Sequence, residues 1–538
     1  MSLPSLSVSL DNPVDDSHLD SVLAKLGHTL KAEERADYLA LLKAFHETIS
    51  AVKDLPDYVP PTDLRRFPRE NLHFPKAEEN DLGAWAWKFT AKDTQPNEGI
   101  LVGKTIVMKD NISVAQVHCL LGTDAVTDFI PTSDATVVTR SLMAGATIVG
   151  KAVCENFSMT GTSFSAATGP VHNPYARGYS AGGSSSGCGA LVASGAVDIL
   201  NRGVGGDQGG SIRLPASWCG IYGMKPTQGL VPYTGIASLE STLDHTGPMT
   251  RTALDNAILL KALAGNDNID DRCRATPPPS QIPNYPSVLD EVKKSTKPLQ
   301  GFKIGLLKEG FHDMPSGLND PRVAMKVREA AEKFKDLGAV VEEVSVPQHS
   351  MSMPLWLCVV RMGCVPGFMG GKVGRQGFYD ELLTIKMGNL HTAEGWEKTP
   401  WAAKNMIMNG VYMQSYCPEL YGKATNLIRR LREQYDEALS KYDVLVMPTV
   451  PYLPTPHAPL NATVVQKIEK GLGQTANTCS FDVTGHPALT MPIGMLEARE
   501  DKNIKFPVGL QIVGKHFDES TIYKAAFAWE DRFSWKEC

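Results

Sequence analysis

Thr105-Ile-Val-Met108 reads as a β-strand, Ala135 to Ala144 as a helix, and Ala146-Thr-Ile-Val149 as the next strand. Short β-branched runs alternating with helical stretches are the pattern of an α/β sheet covered by helices. The same texture returns downstream in Phe302-Lys-Ile-Gly-Leu-Leu307, a helix from about Arg322 to Leu337, and Ala339 to Val346. Val444-Leu-Val-Met447 and Pro507 to Val513 add strands, and a last helix runs from about Glu519 to Arg532. Upstream, Leu19, Val22, Leu23 and Leu26 recur at helical spacing, as do Leu39, Leu42, Phe45, Ile49 and Val52. Gly27 reads as a stop and Thr29 as a new N-cap, which predicts an N-terminal helical hairpin. The expected organisation is a helical region over residues 1–75 and a large α/β domain over 76–538, with a Pro-rich linker around Ala275-Thr-Pro-Pro-Pro279.

Composition narrows the function. Of 538 residues, 42% are hydrophobic and 21% charged, an ordinary globular balance that excludes wholesale disorder. A net charge of −6 gives a nucleic-acid partner no electrostatic support. No stretch approaches the roughly 18 consecutive apolar residues of a membrane helix. The N-terminus lacks a basic, apolar leader, and ten cysteines show no C-x-x-C pair or histidine at zinc spacing. The reading is therefore a cytoplasmic protein with reduced thiols, no metal and no membrane or nucleic-acid partner.

Three familiar patterns fail on context. Gly145-Ala-Thr-Ile-Val-Gly-Lys-Ala152 nearly matches a phosphate-binding P-loop, but Ala152 replaces the Mg²⁺-holding hydroxyl and the run reads as a buried strand. Ser50-Ala-Val-Lys53 has the spacing of penicillin-recognising enzymes without their companion motifs. Gly183-Ser-Ser-Ser-Gly187 satisfies G-x-S-x-G, yet a polar, glycine-rich stretch precedes it where a nucleophile elbow needs a buried strand, which argues against Ser185 as nucleophile.

Two stretches carry chemistry: Gly182-Gly-Ser-Ser-Ser-Gly187 and Gly203-Val-Gly-Gly-Asp-Gln-Gly-Gly-Ser-Ile-Arg213. Each glycine costs about 0.5–1 kcal/mol relative to alanine in regular structure, so such density implies a backbone that approaches another group closely. Gln208-Gly-Gly-Ser211 can turn several N–H groups towards one point and form an oxyanion nest. A serine beside it needs a proton acceptor. His118, His172 and His245 are available, but none sits in a recognisable motif. Lys109 ends a strand, at the edge of an α/β sheet where ligands bind. Desolvated and without an acidic partner it would act as a neutral base, whereas pairing with adjacent Asp110 would make it structural.

These residues are recognisable. Together with Gly103-Lys-Thr-Ile-Val-Met-Lys-Asp-Asn111, Gly150-Lys-Ala-Val-Cys-Glu-Asn156, Cys219-Gly-Ile-Tyr-Gly-Met-Lys-Pro-Thr227, Asp244-His-Thr-Gly-Pro-Met249 and Tyr442-Asp-Val-Leu-Val-Met-Pro-Thr449, the chain resembles the amidase signature family from about residue 80 onward. Gln208 and Gly229-Leu-Val-Pro-Tyr-Thr-Gly235 look most like the amidases that accompany nitrile hydratases, which act on simple aliphatic and aromatic carboxamides. The resemblance implies a large mixed central sheet flanked by helices, an N-terminal helical extension, and amide hydrolysis without cofactor through an acyl-enzyme. It implies Ser211 as nucleophile, Ser184 after a cis peptide as the bridging serine, Lys109 as base, and the N–H groups of Gln208, Gly209, Gly210 and Ser211 as the oxyanion hole. Met159 and Ser185 fall at positions lining the substrate site. A homodimer would be typical of relatives. The alternatives are the glutaminase component of a tRNA-dependent amidotransferase, or an impaired scaffold.

One departure stands out. Ser184 and Ser211 lie 27 positions apart (211 − 184), three more than the resemblance implies, with the excess around Asn201-Arg-Gly203, between Asp198-Ile-Leu200 and Val204. Finally, Met351, Met353, Met362, Met369, Met387, Met406, Met408 and Met413 crowd into residues 350–420 with Trp356, Phe368, Trp396 and Trp401. Soft, adaptable side chains of this kind suit an apolar substrate pocket or an ordinary helical core.

Overall fold

The computed structural model describes residues 3–53, 55–95, 98–195, 200–311, 319–371 and 374–538. The chain divides into two compact units, Met1–Pro60 and Pro61–Cys538. In the first, Asp15 caps the helix Asp16–Leu26 by accepting from the N–H groups of Ser17 and His18, and Gly27 closes it in the left-handed conformation. The second helix, Arg35–Lys53, does not start from Thr29. It grows out of a 3₁₀ turn, Ala32–Glu34, where Glu34 accepts from the Lys31 N–H. The expected cap lost because a carboxylate three residues inside the turn satisfies the first free N–H instead.

The second unit is built on a sheet whose strands, in chain order, are β1 (Arg69–His73), β2 (Trp85–Ala91), β3 (Thr105–Lys109), β4 (Thr147–Ala152), β7 (Leu200–Asp207), β8 (Tyr222–Lys225), β9 (His245–Thr250), β10 (Lys303–Leu307), β11 (Val340–Val344), β12 (Val444–Pro448), β13 (Ala488–Glu497) and β14 (Lys505–Val513). A small separate hairpin contributes β5 (His172–Asn173) and β6 (Ala176–Ser180). The twelve strands run in the order β1-β2-β4-β3-β7-β9-β8-β13-β14-β12-β10-β11. β3 is parallel to both β4 and β7, and β10 to both β11 and β12; the other pairings are antiparallel. This is a mixed α/β sheet. Because β1 joins its edge, the second unit begins well before residue 76. The Pro-rich segment at 275–279 is part of this unit too, where Thr276 donates to the Gly229 carbonyl at 2.7 Å.

Glycines shape the centre of the sheet. Gly203, Gly205 and Gly206 lie inside β7, not in a loop. A Cβ on Gly203 would sit 3.3 Å from side-chain carbons of Val107 and Val192, and one on Gly205 would sit 2.8 Å from the Met249 sulfur. Their absence lets the helix Ser186–Ser194 pack directly on β7. That helix also packs against the helix Arg213–Cys219, which in turn lies on β8, β13 and β14.

Among the described residues one helix, Pro347–Phe368, is long and apolar enough to cross a membrane by length and composition. It packs against the helices Trp401–Tyr416 and Leu420–Lys441, with Val359, Val360 and Cys364 buried in a shared core. All ten cysteines are free thiols, seven of them buried.

Candidate active site

Lys109 is the last residue of β3, and Gln208 follows the last residue of β7. The two strands are parallel neighbours, so their carboxyl ends emerge side by side. Ser184 sits between them at the start of the helix Ser186–Ser194, after a cis Gly183–Ser184 peptide. The Lys109 Nζ donates to the Ser184 Oγ at 2.8 Å, with both side chains fully buried. Ser211, 9% exposed, is the least buried of the three. Its carbonyl accepts from the Ser185 N–H at 3.3 Å, which joins the two glycine-rich motifs through their backbones.

The choice between basic and structural lysine turns on Asp110. That carboxylate bonds not to Lys109 but to Lys151 Nζ, at 2.8 Å, and to the N–H of Leu120. Lys151 reaches it from β4, the strand on the far side of β3 from β7. The near P-loop lysine is thus the partner that keeps Asp110 away from Lys109. Burial then pushes the Lys109 pKa down, with Asp207 and Glu155 opposing only in part. None of the three histidines bonds to Ser184 or Ser211: the Nδ1 of His245 donates to the Leu243 carbonyl, His118 stacks on Trp87, and His172 packs against His457.

The glycine loop after β7 is held from several sides. The Trp356 indole N–H donates to the Gln208 carbonyl at 2.7 Å, and the Thr478 hydroxyl to the Gly209 carbonyl at 2.6 Å. A planar peptide directs the next N–H opposite to its carbonyl, so these two bonds fix the N–H directions of Gly209 and Gly210. The Gly210 N–H points to Asp207, 2.5 Å away. This removes it from the expected four-donor nest, because a buried carboxylate competes for it more strongly than an empty site. Glycine is required here: a Cβ on Gly209 would lie 2.6 Å from the Trp356 ring, and Gly210 has φ +135°, where a Cβ would strike the Thr478 hydroxyl.

Asp207 is itself pinned by Arg213, whose guanidinium also donates to Asp482, the Thr478 carbonyl and Gln511. Burial works against the Asp207 charge, but Arg213 holds its carboxyl well below the usual range. Burial and then the Asp207 charge push Asp482 well above it, with Arg213 and Lys225 opposing. Replacing Arg213 by Met is expected to cost about 3–5 kcal/mol, the penalty of leaving a buried charge unpaired. Urea unfolding measures it, and Asp207→Asn in the same chain is expected to recover part of the loss. A midpoint equal to wild type in Arg213→Met would contradict this account.

Ser185, expected to line the substrate site, is fully buried and exchanges two hydrogen bonds with Gly206, at 3.1 and 3.3 Å. Its hydroxyl ties the serine loop to β7. Met159 is half-buried and packs on the core that also includes Phe157 and Phe368. The sequence reading missed Glu155, whose carboxyl collects the hydroxyls of Thr160, Ser165 and Ser186 and the Ser165 N–H, while its own N–H donates to the Ser184 carbonyl at 3.0 Å. An acid three residues past a strand end, followed by serines and threonines, was the available signal.

The extra residues before Ser211 fall partly outside the described chain, since Asp198 and Ile199 are not described. At the start of β7 the register against β3 jumps from Leu200 to Arg202, a bulge that absorbs Asn201. From Arg202 onward the pairing with β3 and β9 is regular.

A cavity of about 150 Å³ lies next to this centre. Asn111 and Tyr233 line it, as do the charged Asp271, Arg272 and Arg375, and the Tyr233 hydroxyl accepts from Gln208 at 2.8 Å. Phe157, Ile236, Leu239, Phe368, Leu383 and Met387 supply its apolar wall. Of the crowded methionines only Met387 lines it. Met406 is core, and Met351, Met369 and Met408 are about half exposed.

The amidase family profile matches residues 77–523. The chain is 39% identical to an enantioselective amidase of Rhodococcus rhodochrous over 84% of each chain. It is 34% identical to a component of the glutamyl-tRNA(Gln) amidotransferase of Exiguobacterium sibiricum, over 80% of this chain and 84% of that one. Among solved structures it is similar to the peptide amidase of Stenotrophomonas maltophilia, with 27% identity, a TM-score of 0.63, and coverage of 81% and 84% of the two chains. The chain belongs to the amidase family and is an enzyme that hydrolyses amides.

Proposed function

We propose that the chain is a stand-alone amidase that cleaves simple aliphatic and aromatic carboxamides to the acid and ammonia through a Ser211 acyl-enzyme. The observation that carries this reading is the 2.8 Å bond from a buried lysine to Ser184, with the neighbouring carboxylate drawn away by Lys151. Neutral Lys109 takes the Ser184 proton, and Ser184 takes that of Ser211 as the latter attacks the carbonyl carbon. N–H groups of the Gln208–Ser211 loop meet the oxyanion; one such donor is typically worth about 2.7–4 kcal/mol. Ser184 returns a proton to the departing nitrogen, the C–N bond breaks, and ammonia leaves. Water then enters by the same relay and releases the carboxylic acid.

The apolar wall of the cavity favours an aromatic or medium-chain acyl group over an acetyl group. Ammonia release by the purified chain from acetamide, hexanamide, benzamide and glutamine tests both points. Hexanamide and benzamide are expected to exceed acetamide in kcat/KM, with glutamine lowest. Turnover of glutamine alone would favour the amidotransferase-type glutaminase. Silence on all four would mean that the bulged entry into β7 disables the site.

A further inference from the structure

Three side chains outside the catalytic centre converge on one point: Asp436 from the helix Leu420–Lys441, His486 just after the helix Cys479–Thr484, and His516 between β14 and the helix Glu519–Arg532. His486 Nε2 lies 3.0 Å from Asp436 Oδ1, and His516 Nδ1 lies 3.7 Å from the same oxygen. All three ligand atoms fall within 4.8 Å of one another. With metal–ligand bonds of about 2.0–2.2 Å, the edges of a tetrahedral site measure about 3.3–3.6 Å, which these separations bracket.

The outer nitrogens decide what the inner ones offer. His516 Nε2 lies 3.1 Å from the Thr484 carbonyl, which only accepts, so the proton of the neutral ring sits there and Nδ1 presents a lone pair. The Thr484 hydroxyl donates to the Ser480 carbonyl at 2.9 Å, so it accepts from His486 Nδ1 at 3.0 Å. His486, fully buried, therefore also presents a lone pair, from Nε2. With those outer bonds made, two imidazole lone pairs and a carboxylate face one point, where a proton or a cation must bridge His486 and Asp436. Each ring is oriented by a second-sphere acceptor on Thr484, as metal-bound histidines are.

We infer that Asp436, His486 and His516 form a binding site for a divalent transition-metal ion of the zinc class. Two imidazoles and one carboxylate suit zinc, and oxygen-preferring calcium and magnesium do not match this donor set. Asp436 is half exposed, so the ion has an entry path and room for a water ligand. Bound there, it ties the long helix Leu420–Lys441 to the two segments that flank β13 and β14. Lys225 acts on both histidines and Arg432, four residues before Asp436, on His516, and both oppose a cation, so they temper the affinity.

The test counts metal rather than turnover. The full chain is stripped with a chelator, dialysed against Zn²⁺, and its zinc measured by elemental analysis beside His516→Ala and Asp436→Asn, chosen because neither side chain is fully buried. The wild type is expected to hold one zinc more than either variant, over the same cysteine background. Thr484→Val, which keeps all three ligands, is expected to weaken zinc binding about 10–100-fold. Equal zinc in wild type and ligand variants overturns the inference, as does a wild type that takes up none. Uptake of Mg²⁺ or Ca²⁺ in place of Zn²⁺ would overturn the class.

Discussion

Ser211→Ala is expected to lower kcat for amide hydrolysis by about 10⁴- to 10⁶-fold, the range for a nucleophile that acts as one unit with its base. Ser211 is the least buried member of the trio, so loss of its oxygen removes the attacking atom and little packing. Thermal unfolding and circular dichroism should match the wild type. Ser185→Ala is the matched control. Its hydroxyl only holds Gly206, so the cost is about 1 kcal/mol of stability, not the loss of a bond-forming atom. If Ser185→Ala were silent and Ser211→Ala active, the nucleophile-elbow reading would stand and this one would fall.

The second large effect is expected from Lys109→Met, which should reduce kcat about 10²- to 10⁴-fold, the usual worth of a general base. Methionine fills the same buried slot, so folding should survive. The sign of the pH dependence follows from the direction of the shift. Burial favours the neutral amine, so the lysine pKa lies below its ordinary value. As pH falls through it, the amine takes up a proton, can no longer accept one from Ser184, and kcat/KM declines. The variant's residual rate should lack this acid limb. Lys109→Arg restores a cation but not a base, since guanidinium stays protonated, and should be as inactive. An acid limb that survives in Lys109→Met would assign it to another group.

Much of this was legible in the sequence. β3, β4, β10, β12 and β14 announce themselves as short apolar runs, and the last helix spans the expected range, Glu519–Arg532. Lys109 could be placed at a strand end from its neighbours alone. What could not be read was the fate of Asp110, because Lys151 stands 41 positions on (151 − 110) in a stretch that looks like a failed phosphate loop. Only the pairing of β3 with β4, Met108 opposite Lys151, brings the two charges together. The methionines misled for a related reason. Composition records that they crowd in sequence, but helix packing decides which of them turn to the cavity, and Met387 alone does. Gly203 to Gly206 likewise announced a close approach without showing that the approaching body is a helix and that the segment is a strand.

The partners that hold the glycine loop have a bearing on how the chain comes into being. Trp356 and Thr478 reach Gln208 and Gly209 across 148 and 269 residues, and Arg213 reaches Gln511 across 298. A ribosome adding about 5–20 residues per second delivers the loop roughly a quarter of a minute to one minute before the last of these clamps. During that interval β7 can already pair with β3 and β9, but the glycine loop that follows it still lacks its distant partners. The frame of the nucleophile is therefore completed in stages, and a truncation short of β14 removes Gln511, the last of its clamps.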